Sequence, residues 1–303
     1  NFISAQDTGK YFHKKKYDPK PIPTFAENKH LIPSPVFEKN ESLLKMYWKC
    51  WEIAFKGFKQ PHDNSPLVSN WLDEAFSENI FQWDTIFMIL FAKYIHNIFP
   101  AIESLDNFYA LQRESGFIGR EFRERDGKII HFDDGDLFHP LGWKNTINPP
   151  LFAWAELESF KLTGDLTRLE NVFPALEKYA EWLNKNGDPK SLDWEKNGRR
   201  SINTAHKLFW NTPLGSGMDN TPRPADEGAG WVEMSSQMVL MYNNLAEISS
   251  ELEYINKANI FKKEALSIAN DINEWCWNES DGFYYDVLSD GTQFKKKTIG
   301  GFW

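Results

Sequence analysis

Apolar and aromatic side chains return at three- and four-residue intervals in segment after segment of this chain, while runs alternating with a period of two are scarce. Such a pattern commits most of the chain to amphipathic helices and leaves little for a sheet. The first stripe, Leu43, Leu44, Tyr47, Trp48, Trp51 and Ala54, ends near Gly57. The next starts around Asp84, carries Ile86, Phe87, Leu90, Phe91, Tyr94 and Ile95, and stops at Pro100; a helix from Ala101 to about Glu114 would pair with it. Further helices are expected over 150–162, 166–185, 234–252 and 254–277. Repeated hairpins with long loops between them predict an all-α toroid, with a plain helical array as the alternative.

Two stretches break the rhythm. Residues 1–37 hold Pro19, Pro21, Pro23, Pro33 and Pro35 and read as an extended lead-in rather than a helix, wrapping the helical domain of residues 38–303. Residues 117–147 hold Gly119, Gly127, Gly135 and Gly142 and read as a long loop with short strand pieces such as Lys128 to Phe132, a length that is often functional.

Composition narrows the function. With 303 residues and 41% hydrophobic content, one large domain or two small ones can be filled. The 13 Trp, 24 Phe and 10 Tyr exceed what an ordinary interior needs, so some rings are expected to face a ligand; the plainer reading is that all are core. Sugars fit that surplus, because their C–H faces stack on flat rings while their hydroxyls seek polar partners. A net charge of -9 disfavours nucleic acid and anionic membranes and suits a substrate of little charge. The basic runs Lys14–Lys16 and Lys295–Lys297 are too short to alter this and read as solvated surface. Cys50 and Cys276 suggest no metal site and are expected to be buried free thiols, with a disulfide between them left open. The densest apolar run, 86–92, is too short to span a membrane. The first residue is Asn1 rather than Met, which agrees with a removed signal peptide and an exported location. No cofactor is expected.

Four clusters carry candidate chemistry. In Gly215-Ser216-Gly217-Met218-Asp219-Asn220-Thr221-Pro222-Arg223, two glycines and a proline bracket a carboxylate between helical stretches. This is equally the composition of an Asx-turn. Trp210 before it and Trp231 after it favour a desolvated acid of raised pKa, as a general acid near neutrality requires. Phe81-Gln82-Trp83-Asp84 offers a ring to stack on a sugar and a carboxylate to accept two hydroxyl protons, although Asp84 is also explained as a helix cap or first-turn acid. In Gly116 to Glu121, Arg120 and Glu121 have each other as ready partners; Asn148-Pro149-Pro150 is a natural helix start. The seven histidines form no HxxxH pair and no G-x-S-x-G elbow is present; His131 and His139 lie in the long loop.

Taken together, Phe81 to Asp84, Gly116 to Glu121, Asn148 to Pro150, the Ser216 to Arg223 string and Asp281-Gly282-Phe283-Tyr284-Tyr285-Asp286 resemble glycoside hydrolase family 63 and its trehalase relatives. The resemblance implies an (α/α)6 barrel and hydrolysis of an α-glucosidic or α-mannosidic bond with inversion. It implies Asp219 as the proton donor, with Trp83 and Asp84 holding the nonreducing sugar. Phe81, Arg120, Asn148, Trp210, Gly217, Asn220 and Trp231 complete the expected substrate-binding set. Two departures stand out: the family usually has Pro at the position of Gly119, and its catalytic Glu base lies beyond Trp303. About eight helices are counted where twelve close the barrel, so a fragment is favoured over a separate partner chain or a degenerate protein. Glu233 is a substitute base by proximity, but a first-turn helical acid by position. A non-catalytic carbohydrate-binding protein and a polysaccharide lyase on the same toroid are the other functions considered.

Overall fold

The computed structural model describes residues 11–36, 39–74, 76–129, 147–187, 197–201, 206–211, 215–218, 221–223 and 229–303. Among these, α-helices dominate, and strands occur as two-stranded pairs of two or three residues. The lead-in is less uniform than its prolines imply. It contains two single-turn helices, α1 (Tyr11–Lys14) and α2 (Phe25–Asn28), because its prolines cluster outside these turns. Thr24 caps α2 by accepting from Glu27 N–H, and Phe12 of α1 is buried against the body of the protein.

The longer helices are α3 (Glu41–Lys56), α4 (Gln82–Ala92), α5 (Ser104–Ala110), α6 (Phe152–Thr163), α7 (Leu166–Leu183), α8 (Val232–Glu251) and α9 (Ile255–Trp275). α3 stops at Gly57 as its stripe foretold, and Asn40 caps its start through Leu43 N–H. The expected helix from Ala101 to Glu114 is shorter: one 3-10 turn leads into α5, which ends at Ala110.

The helices pack as successive hairpins. α9 lies along α8, α7 lies against both α6 and α8, and α6 touches α4 and α8. α9 buries Ala258, Phe261, Ala265, Ile268 and Ile272, a single stripe at steps of three and four, which is what an outer helix shows. α8 buries residues around most of its circumference, including Met234, Met238, Met241, Leu245 and Ile248 on one side and Val232, Ser235 and Ala246 on another, so it belongs to the inside.

α4, α6 and α8 all begin at one end of the molecule. Gln82 Nε2 at the start of α4 donates 3.2 Å to Pro149 O just ahead of α6, and Phe209 N–H donates 3.0 Å to Ser235 Oγ in the first turn of α8. Their free N–H groups therefore face a common region, the loops gather there, and negative charge is favoured there. Strand β3 (Asn79–Phe81), which feeds α4, pairs antiparallel with β4 (Glu121–Arg123), and Phe122 makes one bridge to Ile129. The expected strand Lys128 to Phe132 is thus represented by that bridge alone, its remainder and both His131 and His139 lying outside the described residues.

Both cysteines are free, but Cys50 is exposed on α3, contrary to expectation, because its position falls off the buried face set by Trp51 and Phe55. Cys276, after α9, is buried, and burial pushes its thiol pKa up.

Away from the gathered loops, a buried ionic network ties the hairpins together. Arg168 of α7 forks onto Glu156 of α6 at 2.7 and 2.8 Å, donates 2.9 Å to Ile102 O, and lies 3.0 Å from Asp106 of α5; Tyr109 donates to Glu156 as well. Removing the guanidinium would leave Glu156 as an uncompensated buried charge. Arg168→Ala is expected to lower stability by about 3–5 kcal/mol, measured by urea unfolding, and a loss below about 1 kcal/mol would show that the network is not a strut.

Candidate active site

The site grows from the start of α4. The turn from β3 brings Phe81, Gln82, Trp83 and Asp84 to the gathered loops, and Asp84 occupies the first helical turn, where its charge suits the helix dipole. Trp83 is partly exposed and meets Phe87 edge to face at 5.5 Å. The turn 215–217 lies directly against it. Gly217 has φ +70°, and a Cβ at this position would come within 2.0 Å of Trp83 Cζ2. Only glycine meets both demands, left-handed backbone and contact with an indole.

Other bonds hold the same turn. Ser216 Oγ accepts from Met218 N–H at 3.1 Å, and Met218 O accepts from both the amide and hydroxyl of Thr221. Asn148 Nδ2 donates to Gly215 O at 3.4 Å, while the main-chain oxygens of Asn148 and Pro149 accept from Gln82. One short chain of side-chain amides thereby joins the starts of α4 and α6 to the turn. Asp219 and Asn220 lie outside the described residues; residues 215–218 and 221–223 are the described parts of the turn.

Of the remaining expected residues, Arg120 pairs with Glu121, and its guanidinium sits 5.7 Å over the Phe81 ring. Both charged groups are buried, and Asn79 Nδ2 donates 3.0 Å to Glu121. The two tryptophans flanking the turn are more enclosed than a subsite wall would be. Trp210 is 5% exposed with Arg199 stacked 4.6 Å from its ring, and Trp231 is 3% exposed with Arg223 stacked at 4.8 Å.

Two features went unread in the sequence. Glu74 follows the short strand β2 (Trp71–Leu72), and among the described residues neither carboxyl oxygen meets a hydrogen-bond partner in another residue. Burial, with Asp73, Asp84 and Glu121 nearby, pushes its pKa up to about 8. No spacing pattern marks it, because its neighbourhood is built from three separate segments. The second feature is a buried cluster in which Arg223 Nη1 donates 2.8 Å to Glu233 and 3.0 Å to Asp286. Glu233, in the first turn of α8, is thus an ion-pair partner, and burial beside Asp286 raises its pKa. Among the described residues no group of three or more His, Cys, Asp or Glu is arranged to hold a metal ion.

Two measurements follow. Gly217→Ala must shift either the turn or the Trp83 ring and strain a left-handed residue, at a cost of roughly 1–3 kcal/mol; thermal unfolding and tryptophan fluorescence read it, and an unchanged spectrum would contradict the contact. Glu74 binds its proton more tightly folded than unfolded, so its contribution to stability is fullest at low pH and is lost as pH rises from about 4.5 toward 8. Glu74→Gln should remove that part of the slope and gain at least about 1.4 kcal/mol relative to the native chain at pH 8, one unit's worth of shift, in urea titrations across the range.

Residues 78–303 match the family model of the mannosylglycerate hydrolase MGH1-like glycoside hydrolase domain. An uncharacterized protein of Borreliella burgdorferi is 30% identical over 233 residues, covering 75% of this chain and 43% of the relative. An uncharacterized protein of Saccharomyces cerevisiae is 26% identical over 185 residues, covering 50% of this chain and 16% of the relative. The chain thus spans less than half the length of these relatives. Among solved structures, an uncharacterized conserved protein from Thermus thermophilus superposes with a TM-score of 0.56 at 16% identity, covering 84% of this chain and 69% of that one. The family 63 mannosylglycerate hydrolase from the same organism, in complex with glucose, gives 0.55 at 16% identity over the same shares. In complex with Tris and D-glycerate it gives 0.52 at 15%, covering 74% and 65%. These likenesses show the helical toroid fold, and the family match bears out the family-63 resemblance carried by the motifs: the chain belongs to the MGH1-like family of glycoside hydrolases.

Proposed function

We propose that the whole protein is an inverting glycosidase acting on a small α-glucoside or α-mannoside, with Asp219 as general acid. The observation that supports it most is the seating of Gly217 on Trp83, which brings the turn preceding Asp219 to the start of α4 beside Asp84. Trp83 then stacks on the sugar, and Asp84 accepts from two of its hydroxyls. The similar structures that hold glucose, and Tris with D-glycerate, agree with a monosaccharide joined to a small aglycone.

In this mechanism Asp219 protonates the glycosidic oxygen as the bond to the anomeric carbon breaks, while water attacks the opposite face. The base that takes the water's proton is assigned to a Glu beyond Trp303, as the family resemblance implies. Inversion calls for two carboxyl groups roughly 6.5–9.5 Å apart, with the water between base and sugar. Glu233 is not assigned that role, because Arg223 already occupies one of its oxygens and the residue is buried.

The deciding experiment is Asp219→Asn in the full-length protein, assayed on α-linked disaccharides and glycosylglycerates with the product anomer followed by NMR. Turnover should fall at least about 10²-fold with sugar affinity retained, and the native enzyme should release the β-anomer first. Absence of turnover in both proteins with sugar still bound would mark a carbohydrate-binding protein; an unsaturated, ultraviolet-absorbing product would mark a lyase.

A further inference from the structure

The turn that carries Asp219 ends in Arg223, whose side chain is enclosed. It stacks 4.8 Å over Trp231 and bonds 2.8 Å to Glu233 and 3.0 Å to Asp286, with the Arg, Glu and Asp side chains only 2%, 1% and 3% exposed. The three residues come from separate parts of the chain: the turn, the first turn of α8, and the segment after β8 (Phe283–Tyr284). Asp286 does a second job. Trp231, the N-cap residue of α8, makes no side-chain capping bond, and Asp286 Oδ1 instead accepts from Val232 N–H at 2.9 Å. The backbone at Gly300 closes the cluster, since a Cβ there would lie 3.2 Å from Glu233 and 3.3 Å from the guanidinium.

We propose that Arg223 is a positioning residue, clamped between Glu233 and Asp286, that fixes the Asp219 turn against the start of α8. Its importance for catalysis rests on the role given to Asp219 above; the clamp itself rests on these contacts. Two carboxylates share one cation out of reach of water, so the cluster needs only one negative charge to neutralise Arg223. Either acid can therefore be made neutral while the guanidinium stays compensated. Losing both leaves a buried, unpaired cation, and the guanidinium is then driven toward water together with the turn it ends.

That predicts a specific non-additivity. Glu233→Gln, Asp286→Asn and the double variant preserve shape and are compared with the native chain by hydrogen exchange, read on peptides covering 215–223 and, as an internal reference, 255–275. Each single variant should raise exchange in 215–223 by no more than a few-fold. The double variant should raise it on the order of a hundred-fold or more, as loss of a charge-assisted pair of roughly 3 kcal/mol would, with 255–275 unchanged. An increase in the double equal to the product of the two singles, or one spread evenly over both regions, would overturn the clamp. If the double variant does not fold, Arg223→Lys serves in its place: a single ammonium cannot bridge both carboxylates and stack on Trp231, so exchange in 215–223 should again rise selectively, and no rise overturns the clamp. In the full-length protein the double variant, or Arg223→Lys in its place, should lower kcat with KM little changed, and each single variant should leave kcat close to the native value. Selective exchange without turnover in any form would sink the glycosidase reading and leave the clamp standing.

Discussion

Three helices begin at the same end of the molecule, and long-range hydrogen bonds among the loops that converge on their starts hold the described structure together. The partners come from far along the chain. Gln82 at the start of α4 reaches the carbonyls before α6, Asn148 reaches Gly215, and Asn211 Nδ2 donates to Ile147 O. Asp286 accepts from the start of α8. Each bond crosses between segments at least fifty residues apart in sequence. The helix starts cannot separate without exposing buried polar groups, each costing about 1–3 kcal/mol. A rigid floor under the candidate site is the consequence.

The same arrangement sets the electrostatics. Helix N-termini favour anions, and Asp84 and Glu233 occupy first turns, yet burial near other acids raises the pKa of Glu74 and of Glu233. A carboxyl kept protonated near neutrality can donate a hydrogen bond where a carboxylate only accepts. Glu74, with Asp84 and Glu121 acting on it, stands at the margin of the proposed subsite with that capacity.

What was legible in the sequence is what is local. The stripe of α9, the Gly57 stop of α3 and the start of α6 near the double proline are all written within a few turns of chain, and the structure reproduces them. The links among Gln82, Asn148 and Gly215 are invisible there, because periodicity says nothing about which loop meets which. The family string did flag Arg223 and Asp286 as parts of two motifs, but their pairing appears only when the chain is folded. Glu74 gave no sign, being one acid among many until its surroundings are assembled. Cys50 was misread because composition cannot tell which face of a helix a thiol takes.

The aromatic surplus illustrates the same point at the level of function. Much of it fills the interior: Phe108 meets Phe122 and Phe152, and Phe152 meets Tyr109 and Tyr179. A second portion stacks on buried cations rather than on a ligand. Arg199 lies between Trp182 at 5.0 Å and Trp210 at 4.6 Å, its pKa lowered by burial to about 10, and Arg223 lies over Trp231. Of the three tryptophans expected at the subsite, that leaves Trp83 as the one with its ring partly open, and one of its edges is already taken by Gly217. Among the described residues a sugar in the proposed subsite would have one of these three indoles to lie on, so its orientation would come from polar neighbours such as Asp84, and selectivity would follow hydroxyl geometry more than ring stacking.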